Sequence, residues 1–270
     1  SWAAVLAVPA VLGELFWSAE LLVAVGASSS ALLGVRFEVA VLVAATVVLA
    51  YTMAGGLWSV TYADVLQLGL VAVGLLVAIP FVLAATGGLD ATWTAYRETF
   101  PGRGGLAPPI SPSGATWTAP SITAWWDLSV MLLLGGIPWN CYFQRVLACS
   151  TPSHARRTSI VAGLATMVLV VPPLVLGVAA AVFPWGGEAA AQLAQTPAQA
   201  LPLLLREATP PFVALLGLGA IVGAVTSSFS ASVLSAASMA TWNGVRASVG
   251  DRLREPMTTG TVRGGVLTIC

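Results

Sequence analysis

The chain has 270 residues, 57% of them hydrophobic and only 8% charged, and its eleven cations, all Arg, balance eleven Asp and Glu to a formal net charge of zero. That composition excludes an ordinary soluble domain, and without a basic surface there is nothing to neutralise phosphates, so nucleic-acid binding is excluded too. Three cysteines without CxxC spacing (Cys141, Cys149, Cys270) and a single histidine, His154, offer no disulfide framework, zinc site or hydrolytic triad.

A bilayer core of about 30 Å is crossed by roughly 20 apolar residues in helix. In chain order such stretches run over residues 2–27, 37–54, 62–85, 123–149, 159–183 and 212–245, and a seventh begins at 261. The expected fold class is therefore an all-α polytopic membrane protein, since lipid-spanning strands would show short alternating segments. Residues 86–122, punctuated by Gly87, Gly88, Pro101, Gly102, Pro108 and Pro109, read as a loop. Arginine placement sets direction. The connection 145–157 holds Arg145, Arg156 and Arg157 and no acid, and 246–263 holds Arg246, Arg252, Arg254 and Arg263 against two acids, so both are expected on the cytoplasmic side. Alternation then places 86–122 and 184–211 outside. A first residue that is not Met, and a last residue inside an apolar run, read as a fragment of a larger protein.

Three spans carry polar groups that lipid does not tolerate. In the first, Glu14, Trp17 and Glu20 fall three residues apart, within an arc of about 120°. Carboxylates at membrane depth belong against the bundle interior or a water-filled cavity, although Glu14 could equally hydrogen-bond a neighbouring helix. In the fourth span, Gly135, Gly136 and Pro138 interrupt the helix just before Trp139. Such a break either lines a cavity or is a structural bend. In the sixth, the carbonyl of Ala224 and the hydroxyls of Ser227 and Ser228, followed by Ser230, Ser232, Ser235 and Ser238, form a stripe of small residues that serves helix packing or offers hard oxygens to a sodium ion. Most tryptophans lie near span ends, as interfacial residues do. Trp17 and Trp139 lie deep inside spans, where two indole faces suit a quaternary ammonium through cation–π attraction.

Residues 55–67, GGLWSVTYADVLQ, resemble a signature segment of the sodium:solute symporter family. Residues 135–146, GGIPWNCYFQRV, together with 13–17, GELFW, and 217–220, GLGA, are most similar to its choline-carrying members. The resemblance implies a LeuT-like inverted-repeat transporter core. The spans here would be core helices three to eight with the start of the ninth, the first two being absent. It also implies a plasma-membrane symporter rather than an enzyme, importing choline or a similar quaternary ammonium with co-transported sodium, and with chloride as a second ion to test. Import of choline would supply acetylcholine synthesis if the source is an animal. On this mapping Trp17 and Trp139, with Glu14, belong to the substrate site, and Ala224, Ser227 and Ser228 to the sodium site. Two departures stand out: Ser230 and Ala231 occupy positions where the choline-carrying members have Asp and Ser, and Glu20 replaces a small or apolar residue. They keep open a sodium symporter for another small solute, and a non-transporting sensor or truncated fragment.

Overall fold

The computed structural model describes residues 2–103, 105, 107–113, 117–137 and 139–245. The expected seventh span, the Arg-rich connection 246–263 and Pro138 of the helix break lie outside the described residues. The order is α1 (Trp2–Leu33), α2 (Phe37–Ala85), α3 (Leu89–Thr99), α4 (Ala119–Gly136), α5 (Asn140–Leu147), α6 (Pro152–Leu169), α7 (Val171–Val182), α8 (Gly187–Gln195), a 3-10 turn at Pro197–Gln199, α9 (Ala200–Ala208) and α10 (Pro211–Met239), which runs into a π-helical turn at Ala240–Val245. Strands are absent among the described residues, where one isolated bridge pairs Ser113 with Trp117.

Among the described residues five helical stretches are long and apolar enough to cross a membrane: Trp2–Leu33, Phe37–Ala85, Ala119–Leu147, Pro152–Val182 and Pro211–Gly244. The spans expected over residues 37–54 and 62–85 lie on either side of a kink in the second of these, so dividing it there gives the expected six. They are the two arms of α2, whose 49 residues would make a straight rod of about 73 Å. α2 is not straight. At Gly56 the backbone takes φ 54° and ψ −136°, a conformation reserved for glycine, and the chain bends there. The Ser59 hydroxyl consequently reaches the Tyr51 carbonyl at 2.7 Å, although eight residues of straight helix would hold them about 12 Å apart. Tyr51 from one arm and Gln67 from the other both bond Thr226 on α10.

Local chemistry accounts for most helix boundaries. Thr118 and Ser121 form a reciprocal capping box at the start of α4. Thr151 accepts from the His154 amide at 3.2 Å, and Pro152 occupies the first position of α6. Pro172 and Pro173, which lack amide protons, follow the junction that divides the expected span 159–183 into α6 and α7. The stretch 86–122 is not wholly irregular, because α3 lies within it, and the indole N–H groups of Trp117 and Trp126 fasten it by bonding the carbonyls of Gly102 and Pro109 at 2.9 and 2.8 Å. The expected connection 184–211 is largely helical, and Leu203, Leu204 and Leu205 within it are fully buried.

The centre of the bundle is α10, flanked by α1 and both arms of α2. One apolar cluster joins Leu75, Ala78 and Val82 of α2 to Leu176 and Ala179 of α7, Leu204 and Leu205 of α9, and Ala220 of α10. A second joins Leu21 and Val25 of α1, Ala44 and Val48 of α2, and Val225, Phe229 and Val233 of α10. Close approach depends on missing side chains: a Cβ at Gly74 would stand 2.5 Å from the Leu216 carbonyl oxygen. This is the packing that small residues allow in lipid, where burial of apolar surface alone does not pull helices together.

Candidate functional site

The fourth apolar stretch is interrupted where glycine and proline accumulate. α4 ends at Gly136, Trp139 is extended (φ −62°, ψ 116°), and α5 begins at Asn140. This interruption forms one wall of a cavity of about 610 Å³. Trp17 of α1, Gly135, Gly136 and Trp139 of the break, and Ser227 and Ser228 of α10 all line it. Side chains up to 211 positions apart are thus brought to a single space. Each indole is partly open, Trp17 at 40% exposure and Trp139 at 38%, so both rings present a face to an occupant.

Behind Trp139 lies a buried polar network. Glu14, 2% exposed, accepts hydrogen bonds from the hydroxyls of Ser232 and Ser235, both at 2.7 Å, and from the Cys141 thiol at 3.2 and 3.3 Å to its two oxygens. Ser235 also accepts from the Asn140 side-chain amide at 2.8 Å. Glu14 thus bonds a neighbouring helix and also borders a smaller cavity of about 210 Å³ together with Gly135, Trp139 and Asn140. A carboxylate with three donors escapes most of the penalty of burial. Glu20, which the sequence allows either inward or near the outer water, is exposed. The 120° arc is wide enough for one end to meet α10 while the other faces away.

A second group acts at the serine pair. Asp64, on the second arm of α2, accepts from the Ser227 hydroxyl at 2.7 Å through one oxygen and pairs with Arg145 of α5 through the other. Arg145 lines the large cavity and also bonds the Cys141 carbonyl at 2.8 Å. The stripe around Ser227 holds no acid of its own, yet the fold delivers one, and the same acid neutralises the cavity's guanidinium. Ala224 is exposed and does not line the cavity, lying one turn earlier on α10. Among the described residues no group of three or more His, Cys, Asp or Glu is placed to hold a metal ion.

In the sequence reading Asp64 is only part of the segment 55–67, and Arg145 is only one of the arginines that orient the connection 145–157. The signal was present, since Asp64 is a lone acid within an otherwise apolar span and the rule that singles out Glu14 applies equally to it. Nothing local pairs it with Arg145, 81 residues away.

The sodium:solute symporter family matches residues 12–243. The chain belongs to that family. It is similar to high affinity choline transporter 1 of Homo sapiens, with 34% identity over 236 residues, covering 86% of this chain and 39% of that protein. The high-affinity choline transporter 1 of Torpedo marmorata is 35% identical over 236 residues, with the same coverage, and that of Caenorhabditis elegans is 35% identical over 247, covering 86% of this chain and 40% of the relative. The chain thus spans about two fifths of the length of these relatives. Among solved structures it resembles a Na+-coupled sialic acid symporter in a substrate-bound outward-open state, with a TM-score of 0.75 and 19% identity over 96% of this chain and 55% of that one. At that identity the likeness shows a shared fold, the LeuT-like class.

Proposed function

We propose that the chain is the central part of a multi-pass plasma-membrane symporter that couples inward sodium movement to import of choline or a similar quaternary ammonium. The observation that carries this reading is the common cavity of Trp17, Trp139, Ser227 and Ser228. A trimethylammonium group has no N–H to donate, so an apolar, aromatic space with negative charge nearby is the chemistry that retains it. The two indoles supply the faces, and Glu14, close behind Trp139, supplies charge without needing a hydrogen bond from the ligand. Sodium would rest on the Ser227 and Ser228 hydroxyls and the Ala224 carbonyl, with Asp64 contributing field. The Asp64–Arg145 pair matters because a free guanidinium in this cavity would repel the cation. The names of the curated relatives support choline over other solutes.

In this reading segments 145–157 and 246–263 face the cytoplasm, and sodium binding favours the outward-open arrangement. In an animal cell the imported choline would feed acetylcholine synthesis. The test is uptake of labelled choline by the full-length protein in cells, with sodium replaced by N-methyl-D-glucamine and, separately, chloride by gluconate. Saturable uptake that disappears without sodium supports the proposal, and uptake indifferent to sodium overturns the coupling. A second reading, a sodium symporter for a small carboxylate-bearing solute, is favoured by Arg145 alone. Competition of choline uptake by carboxylates, but not by other quaternary ammonium compounds, would select it.

A further inference from the structure

Glu14 does not line the large cavity, yet it is bonded to the helix start that directly follows Trp139. Its oxygens hold the Cys141 thiol directly and the Asn140 amide through Ser235, and these are the first two residues of α5, immediately after Trp139. Its other strong bond, to Ser232, anchors the same carboxylate to α10. Trp139 itself provides no side-chain cap for α5, and a carboxylate beside the first turn of a helix suits the partial positive charge there. The network thus holds the chain on the α5 side of Trp139.

We propose that Glu14 is a positioning residue for substrate selectivity: it locks the start of α5 to α10 and thereby sets where the Trp139 indole stands in the cavity. The proposal rests on the quaternary-ammonium reading of that cavity. It differs from a direct ionic contact in what it does to selectivity. A carboxylate that merely attracts cations weakens choline and its bulkier triethyl analogue alike when neutralised. A carboxylate that positions the wall changes their ratio, because the cavity loses its fixed size.

The experiment measures KM and maximal uptake for choline and for triethylcholine in the full-length protein and in Glu14→Gln, Ser235→Ala and the double variant, normalised to protein at the cell surface. Binding to detergent-solubilised protein supplies the same comparison for any variant retained inside the cell. The expected result is a fall of about tenfold in the preference for choline in Glu14→Gln, a smaller fall in the same direction in Ser235→Ala, and a double variant no worse than Glu14→Gln, as for groups acting through one network. An unchanged preference in both single variants, with KM raised equally for the two cations, overturns the positioning role while leaving the transport reading intact. Absence of choline uptake from the unaltered protein overturns that reading instead.

Discussion

α10 and the α4–α5 stretch are both apolar enough to cross a bilayer, yet half of the spanning window of α10 is buried within the bundle and none of the window in Ala119–Leu147 is. The difference lies in the residues. α10 presents Gly217, Ala220 and Gly223 for close approach and Ser230, Ser232 and Ser235 for hydrogen bonds, all buried. α4 presents Leu132, Leu133 and Leu134, each more than half exposed. In lipid, bulky apolar side chains gain nothing from facing another helix, so small residues and hydroxyls decide which helix becomes the fixed centre. The cavity lies between these two kinds of helix. Its α10 wall packs against α1 and α2, and its opposite wall is the end of α4 with its glycine pair.

The contrast can be broken at graded points. The largest effect is expected from Gly74→Leu, where new atoms meet the Leu216 carbonyl: a loss of about 3 kcal/mol, read as a lowered Tm of the solubilised full-length protein and poor surface delivery. Next comes Asp64→Ala, which leaves Arg145 unpaired beside the cavity. Choline uptake should fall about tenfold or more, in line with about 1.5–3 kcal/mol for a charged hydrogen bond, and exchange of the two charges, Asp64→Arg with Arg145→Asp, should recover part of it. Gly56→Ala forces a side chain into a left-handed conformation and should cost about 1–3 kcal/mol, again seen in Tm. The smallest change belongs to the other side of the contrast: Leu133→Ala, at a position 71% exposed, should stay within about 0.5 kcal/mol. A large loss there would mean that α4 is held as firmly as α10.

How much of this could be read without coordinates follows from the range of each interaction. Spans were legible because the bilayer imposes a length and a polarity on every helix that crosses it. The break at Gly135 and Gly136 was legible because glycine acts on its own backbone. The kink inside α2 was legible in part: the Gly55–Gly56 pair marks an interruption between the spans 37–54 and 62–85, but the 2.7 Å bond from Ser59 to Tyr51 that ties the two arms together has no sequence signal. Leu203, Leu204 and Leu205 were hidden in a stretch read as a connection, since three adjacent leucines among prolines show no helical period. In the candidate site, Trp17 and Trp139 stand out as tryptophans deep inside spans and Ser227 and Ser228 as hydroxyls within one, while their assignment to substrate and sodium comes from the family resemblance. The partners of Glu14 lie 218 and 221 residues away, and the Asp64–Arg145 pair spans 81. No local pattern encodes such pairings.

The central claim is that two indoles in one cavity hold a quaternary ammonium, and its most direct test is choline uptake by the full-length protein carrying Trp139→Phe and Trp139→Ala, normalised to surface protein. The account predicts graded loss: Phe keeps a weaker aromatic face and raises KM moderately, whereas Ala removes the face and raises KM by about thirtyfold, the equivalent of about 2 kcal/mol for a desolvated cation–π contact. Equal KM for the unaltered protein and Trp139→Ala, with both well expressed at the surface, would contradict it.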